Sequence, residues 1–163
     1  MKPEADRQTE VAGSRARIVL SAIAAFISLA GLVDAAYLAV VGMTGGTAAF
    51  GGSPGCVEVL GSPYARIAGI HTAVLGVYGY FAAFSCATFA GFGYKRARGL
   101  FTWTVWAMFA MTLWLLFVQA FVLHAFCRYC LFSAALTFLL AGLVVASPAA
   151  PDSEGQEEPP DMP

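Results

Sequence analysis

The length, composition and charge of this chain indicate an integral membrane protein. Of its 163 residues, 59% are hydrophobic and only 12% are charged, and the mean hydropathy is +0.72. A soluble domain carries about 25% charged residues, so the composition argues against an ordinary soluble enzyme. The net charge of −1 gives no sign of a nucleic-acid partner.

Four continuous apolar runs are long enough for transmembrane helices, which need about 20 residues. Helices satisfy their own backbone hydrogen bonds in lipid, and continuous rather than alternating hydrophobicity argues against strands. The first run is too long for a signal peptide and lacks a convincing cleavage site, so we interpret it as a retained span. The predicted spans are 18–41, 67–90, 100–123 and 126–146.

Polar segments flank and connect these spans. An N-terminal tail covers 1–17, and a C-terminal tail over 147–163 is rich in Pro, Asp and Glu, which predicts disorder. Seven of the nine basic residues lie in the first tail or between spans two and three, which face the same side: Lys2, Arg7, Arg15, Arg17, Lys95, Arg96 and Arg98. Because cationic loops stay in the cytoplasm, both tails are predicted to be cytoplasmic. The loops 42–66 and 124–130 then lie on the opposite side, with only Arg66 and Arg128.

The first outside loop, 42–66, is predicted to contain a short interfacial helix. Its first half is rich in glycine, whereas its second half carries Cys56 followed by apolar Val57, Val59 and Leu60, and Pro63 ends or restarts a helix there. A solvated linker would fit the glycine-rich half, but the cysteine and the apolar residues favour a functional loop. The predicted fold is an all-α integral membrane protein, a four-transmembrane-helix bundle with this helix in its first outside loop.

The cysteines carry the clearest chemical signal. Cys127 and Cys130 form a Cys-Arg-Tyr-Cys motif at the start of the fourth span, and Cys56 lies in the other loop on the same side. A helix N-terminus stabilises a thiolate, and Arg128 adds positive charge. Two cysteines with this spacing close a disulfide that exchanges by thiolate attack. The motif therefore predicts a redox-active pair.

A metal site is the alternative for this motif. His124 and His71 are the available histidines, but metal sites need further ligands and the chain has neither a second Cys-x-x-Cys motif nor an acidic ligand cluster. We therefore favour redox chemistry and predict no metal. Cys86, in the middle of the second span, is interpreted as a small buried apolar residue.

Asp34 is the one acidic residue inside a span. An intramembrane carboxylate is a candidate functional group, although a hydrogen bond to a neighbouring helix would also account for it. Tyr37, one turn away, can share its helix face. We interpret four aromatic residues of the third span as packing or lipid contacts: Trp103, Trp106, Trp114 and Phe117.

Four segments in this order resemble the vitamin K epoxide reductase family in its bacterial form. The first is Gly-Leu-Val-Asp-Ala-Ala-Tyr-Leu from Gly31, and the second is Cys56 with Ser62-Pro-Tyr-Ala-Arg six residues later. The third is Gly-Ile-His-Thr-Ala-Val-Leu-Gly from Gly69, and the fourth is Cys-Arg-Tyr-Cys-Leu-Phe-Ser from Cys127. The resemblance covers most of the membrane region.

The resemblance implies a helix bundle around a quinone, either ubiquinone or menaquinone. By motif, Cys130 faces the quinone, and Cys127 exchanges with Cys56. The candidate cofactor-binding residues are Ser62, Thr72, His71 and Asp34. The implied function is a thiol–disulfide oxidoreductase of the bacterial inner membrane, which oxidises a periplasmic thioredoxin-like partner and reduces the quinone. The alternatives are a small heavy-metal transporter, with Cys127, Cys130 and His124 as ligands, and a non-catalytic relative that only binds quinone.

One departure from the family concerns the loop before Cys56. Relatives usually carry a second cysteine several residues upstream, which meets the partner first, but the segment from Ala48 to Gly55 contains none. Three explanations are open: the residue was replaced to trap a state, the relay runs through Cys56 alone, or this branch has lost exchange with a partner.

Overall fold

Five α-helices make up most of the described part of the chain. The computed structural model describes residues 2–44, 54–67 and 69–146. The helices are α1 (Lys2–Thr44), α2 (Pro54–Gly61), α3 (Thr72–Gly91), α4 (Lys95–Phe117) and α5 (Arg128–Ala146). Four segments are long and apolar enough to cross a membrane: Gly13–Thr44, Thr72–Gly91, Arg96–Leu123 and Arg128–Ala146. The predicted all-α membrane bundle is confirmed.

The four long helices pack as a closed ring in which α1 contacts α3 and α5, and α4 contacts the same two helices. Alanines dominate the buried core between them, among them Ala24, Ala35, Ala87 and Ala141. Small residues let helix backbones approach closely, which matters in lipid because burial of apolar surface does not drive helices together there. Large apolar side chains such as Phe26 and Val145 point outward instead, as a lipid-facing surface requires.

Helix α3 begins later in the chain than the second predicted span, whose expected start is residue 67. In the structure, strand β1 (Arg66–Ile67) pairs antiparallel with β2 (Ile70–His71), and α3 begins only after them. Gly69 has a φ of +82°, a conformation that suits glycine and turns the chain back on itself. Hydropathy extends through this apolar hairpin and therefore does not reveal it.

One end of the bundle is closed by α2 and by the chain that enters α5. These segments share a second buried cluster with the end of α1: Leu38, Val41, Cys56, Val59, Ala125 and Cys127. The loop helix predicted from the sequence is thus present as α2. A single wide turn of π-helix, Val118–Leu123, continues α4 into the connector that leads to Cys127.

At the other end, α1 runs back through the predicted N-terminal tail to Lys2. The acidic tail over 147–163, for which disorder was predicted, lies outside the described residues. So does the segment 45–53, which includes most of the loop where the additional family cysteine would stand.

Candidate active site

Three of the four cysteines meet at the end of the bundle where α2 lies. The sulfur atoms of Cys56 and Cys127 lie 2.6 Å apart, and neither residue has any exposed surface. The Cys130 thiol, about one turn further along α5, hydrogen-bonds to the Cys127 sulfur. Cys127 therefore lies between two sulfur partners, the arrangement required for it to exchange a disulfide from one to the other.

Cys127 is the N-cap of α5, because its carbonyl accepts the Leu131 N–H at 2.9 Å. Its sulfur also accepts backbone N–H groups of Tyr129 and Cys130, the orphan donors of a helix start. The hydrogen bond from the Cys130 thiol is the largest cause that lowers the pKa of Cys127, and those from Cys56 and the backbone add to it. Together they outweigh burial and hold that pKa at about 6.

The position of Cys56 depends on a close backbone contact at Gly55. A Cβ atom at this position would lie 2.5 Å from the Phe126 carbonyl oxygen, which is closer than side chains approach backbone atoms. Glycine thus allows the start of α2 to rest directly on the residue before Cys127. That contact brings the two cysteines together from segments 71 residues apart.

A largely apolar cavity of about 570 Å³ lies inside the bundle beside these cysteines. Cys130 is part of its wall, whereas Cys56 and Cys127 are not among the lining residues. One face of α4 lines it from Leu100 to the π-helical turn at Gln119, a length of about 30 Å at 1.5 Å per residue. The cavity is therefore long, and one thiol of the Cys-x-x-Cys motif borders it.

The structure brings three of the predicted cofactor residues to this cavity. Ser62, His71 and Thr72 all line it. The Ser62 hydroxyl donates to the Val59 carbonyl at 2.8 Å, and the Thr72 hydroxyl donates to the Ala65 carbonyl at 3.2 Å. Both hydroxyls keep lone pairs on oxygen, and both hydrogen bonds fix the loop that closes the cavity.

Asp34 is not among the residues that line the cavity. It is half-buried on α1, where its charge interacts with Cys127 and Cys130. Within residues 2–44, 54–67 and 69–146, its Oδ2 atom has no hydrogen-bond partner. Tyr37 instead packs on Tyr129, with ring centroids 5.4 Å apart. Asp34 therefore lies near the cysteines without lining the cavity.

Four polar residues of the cavity wall were not singled out from the sequence: Tyr80, Gln119, Ser133 and Thr137. The Tyr80 hydroxyl donates to the Ser133 carbonyl at 2.8 Å and lies 3.0 Å from both the Ser133 and Thr137 hydroxyls. Ser133 and Thr137 follow Cys130 by three and seven residues, so helical periodicity alone would have placed them on its face. Gln119 is the one amide side chain within the four spans, and a polar residue inside a span could have marked it as a candidate site residue.

The remaining candidates lie apart from the cavity. His124 is exposed and has a left-handed φ of 50°, while Cys86 is part of α3 and does not line the cavity. The Arg128 guanidinium lies 5.2 Å from the centre of the Tyr129 ring. Among the described residues, no group of three or more His, Cys, Asp or Glu side chains is arranged to hold a metal ion.

Of the four aromatics interpreted as packing, Trp103 lines the cavity.

A bundle of four membrane helices, with a Cys-x-x-Cys motif between a loop cysteine and an apolar cavity, defines a class of membrane redox protein. Comparison with known families supports this class, because the model of the vitamin K epoxide reductase family matches residues 22–145. The chain therefore belongs to the vitamin K epoxide reductase family, a family of membrane oxidoreductases. A comparison with curated proteins finds no match.

Proposed function

We propose that this protein is a quinone-dependent thiol–disulfide oxidoreductase that forms disulfides in a thioredoxin-like partner outside the cytoplasm. The observation that carries this proposal is the position of Cys127. Its sulfur contacts Cys56 on one side and Cys130 on the other, and only Cys130 borders the cavity. Electrons from a thiol outside can therefore reach the cavity by successive thiol–disulfide exchange through Cys56 and Cys127.

The cavity fits a quinone with an isoprenoid tail. Its apolar wall along α4 suits the tail, and the wall also carries Cys130 and polar groups that can bind a ring: Ser62, Thr72, Tyr80, Gln119 and Ser133. His71 lines the same cavity, and Asp34 lies near the thiols. A bound ubiquinone or menaquinone supplies an acceptor for two electrons and two protons.

The proposed cycle of the thiols has four steps. Closure of a disulfide between the Cys127 thiolate and the Cys130 thiol releases two electrons and one proton. The Cys56 thiolate then attacks the Cys127 sulfur, which forms the Cys56–Cys127 disulfide and releases the Cys130 thiolate. A partner thiolate attacks Cys56 and releases Cys127, and the second thiol of the partner displaces Cys56 to leave the partner oxidised.

The sequence contains no cysteine before Cys56, so the proposed relay runs through Cys56 alone. The distribution of Lys and Arg supports cytoplasmic termini, and with that orientation the exchange would take place in the bacterial periplasm. The low pKa of Cys127 supports its role as the group displaced from Cys56, because a stable thiolate leaves readily.

The test is reduction of decylubiquinone or a menaquinone analogue by purified protein in detergent, with dithiothreitol as the electron donor. Cys130→Ala is expected to abolish reduction, since it removes the thiol that borders the cavity. Cys86→Ala is the matched control and is expected to retain the native rate, because Cys86 contacts neither the cavity nor the other cysteines. In spheroplasts, a membrane-impermeant dithiol protein is expected to support the same reduction from outside.

Absence of quinone reduction by the native protein would overturn the proposal. Stoichiometric binding of a soft metal ion by the same preparation would then favour the transporter. Reduction with dithiothreitol but with no protein dithiol would retain the quinone chemistry and remove the partner from the proposal.

A further inference from the structure

Gln119 holds the connector that leads into the Cys-x-x-Cys motif. It lies in the π-helical turn after α4 and is only 2% exposed. Its main-chain carbonyl accepts the N–H groups of His124 and Ala125, the latter at 3.2 Å. Its side-chain Oε1 accepts the N–H of Cys127 at 3.1 Å. One residue thus fixes three backbone donors just before α5.

The hydrogen bond to Cys127 also fixes the orientation of the Gln119 amide. A backbone N–H can only donate, so the atom that accepts from it is the amide oxygen, and the NH₂ group forms the other half of the side chain. Within residues 2–44, 54–67 and 69–146, the side-chain hydrogen bond of Gln119 uses Oε1 and none uses Nε2. Among the described residues this NH₂ group is not one of the fully buried polar atoms without a partner, so it keeps accessible surface at which the acceptor of a ligand can reach it.

The cavity supplies the place for that acceptor. Gln119 and Cys130 both line it, as do the apolar Val118 and Leu123 of the same π-helical turn. A largely apolar cavity with an amide donor in its wall suits a ligand that is mostly hydrocarbon and carries a carbonyl oxygen. A quinone has this chemistry, and so the inference rests on the function proposed above.

We propose that the Gln119 amide donates a hydrogen bond to a carbonyl oxygen of the quinone bound beside Cys130. The same side chain then positions two reactants: its oxygen holds the backbone of Cys127, and its NH₂ group holds the quinone. Gln119 is thereby a specificity residue that selects ligands with a carbonyl acceptor at the end of the cavity where Cys130 lies.

The experiment compares two ligands on three proteins. Decylubiquinone carries carbonyl oxygens, whereas the dimethyl ether of its reduced form has the same tail without them. Binding of the quinone is measured by quenching of tryptophan fluorescence in detergent, and binding of the ether by its competition with the quinone. The proteins are native, Gln119→Met and Ser85→Ala, the last of which removes a hydroxyl that bonds the Phe81 carbonyl outside the cavity.

The native protein is expected to prefer the quinone over the ether by about tenfold, the value of one good hydrogen bond. Gln119→Met is expected to bind both ligands about equally, and Ser85→Ala to retain the native preference. A general loosening of the site would weaken both ligands and leave their ratio unchanged. An unchanged ratio in Gln119→Met would therefore overturn the inference.

A second variant covers the case in which Gln119→Met does not fold. Gln119→Glu keeps an oxygen for the Cys127 N–H but has no donor once it is ionised, so its preference for the quinone is expected to fall as the pH rises. A preference that stays at the native value at every pH would contradict the inference. Failure of the native protein to bind decylubiquinone would instead contradict the proposed function, so the two failures are distinguishable.

Discussion

At the scale of single residues, Cys127 is the side chain on which the other site residues converge. It caps α5, contacts Cys56 and Cys130 through its sulfur, and is held at its own N–H by Gln119. Each of these contacts comes from a different segment of the chain. A sulfur with a partner on each side is a point of exchange, and its protonation state controls the exchange rate.

The pKa of Cys127 should therefore depend on the side chain at position 130. In the native reduced protein, the Cys127 thiolate is expected to form as the pH rises through about 6, well below the ordinary range of a thiol. Cys130→Ala removes the largest lowering cause, so the midpoint should rise. Cys130→Ser retains a hydroxyl donor and should keep much of the shift.

The measurement is the thiolate absorbance at 240 nm against pH, corrected with Cys127→Ala to isolate this one group. At pH 7, about nine tenths of Cys127 should be ionised in the native protein. An equal midpoint in Cys130→Ala and in the native protein would show that the Cys130 thiol does not stabilise the thiolate.

The sequence motifs pointed to Ser62, His71 and Thr72, and all three line the cavity. The Cys-x-x-Cys spacing predicted a redox pair, which stays a prediction. Tyr80 was missed because its partner Ser133 lies 53 residues away. Gln119 could have been noticed as the one amide within the spans, but its hydrogen bond to Cys127 depends on the fold of the connector. Asp34 lies beside the site without lining the cavity, a distinction that depends on how α1 rotates against α5.

At the scale of elements, α2 brings Cys56 into contact with Cys127. It has eight residues, fewer than a helix needs to be stable alone. Its burial against the ends of α1 and α5, through Val59 and Cys56, stabilises it. Gly55 makes this burial possible by letting the two backbones touch.

Gly55→Ala is expected to separate α2 from the connector before α5. The added Cβ would meet backbone atoms of Phe126 at 2.5 to 3.4 Å, and backbone cannot move aside as a side chain can. Under mild oxidation, the fraction of protein with a Cys56–Cys127 disulfide should fall severalfold. Peptide mass spectrometry after digestion measures this fraction.

Gly61→Ala is the matched control because it adds the same methyl group at the end of the same helix. A Cβ at Gly61 would meet no atom within 4 Å, so the native disulfide yield should be retained. Equal yields for the two variants would mean that the contact at Gly55 does not set the position of Cys56.

Hydropathy predicted the helices more closely than it predicted the residues at which they begin and end. Continuous apolar runs identified the four long helices, but α3 begins at Thr72 because Gly69 reverses the chain in a conformation that hydropathy does not register. Similarly, α5 begins at Arg128, since Cys127 acts as its cap. Helix ends depend on single turn and cap residues, whereas helix cores depend on composition over many residues.

At the scale of the whole molecule, Tyr80 joins three of the four long helices. It belongs to α3, its hydroxyl bonds to Ser133 and Thr137 of α5, and its ring rests on Gly31 of α1. Interhelical hydrogen bonds of this kind contribute about 0.6 kcal/mol each in membrane proteins. The junction therefore fixes the relative positions of the walls around the cavity.

Gly31→Ala is expected to destabilise the bundle by about 1–3 kcal/mol. The added methyl group would overlap ring carbons of Tyr80, and the ring cannot rotate away because its hydroxyl is held by α5. A lower apparent Tm in detergent measures this loss. Gly142→Ala, in α5, would meet no atom within 4 Å and should leave the Tm unchanged or slightly higher. A Tm for Gly31→Ala as high as that of the control would contradict this role of Tyr80.

The number and order of the membrane helices were predictable, because the energy of placing residues in lipid depends mainly on composition. The cavity was not predictable in the same way. Its shape arises from small residues at helix contacts, such as Gly79 against Met108, and those pairings depend on how the helices rotate against each other.

The complete burial of Cys56 and Cys127 has a consequence for the timing of the reaction. A thiol in the surrounding solution reaches neither sulfur while α2 stays docked, so encounters alone do not transfer electrons. In the exchange proposed above, the rate at which α2 moves away would then limit the reaction at any concentration of reductant. A partner that binds the loop and displaces α2 would be oxidised ahead of more abundant small thiols. Access to the buried sulfur atoms, rather than redox potential, would then select the substrates.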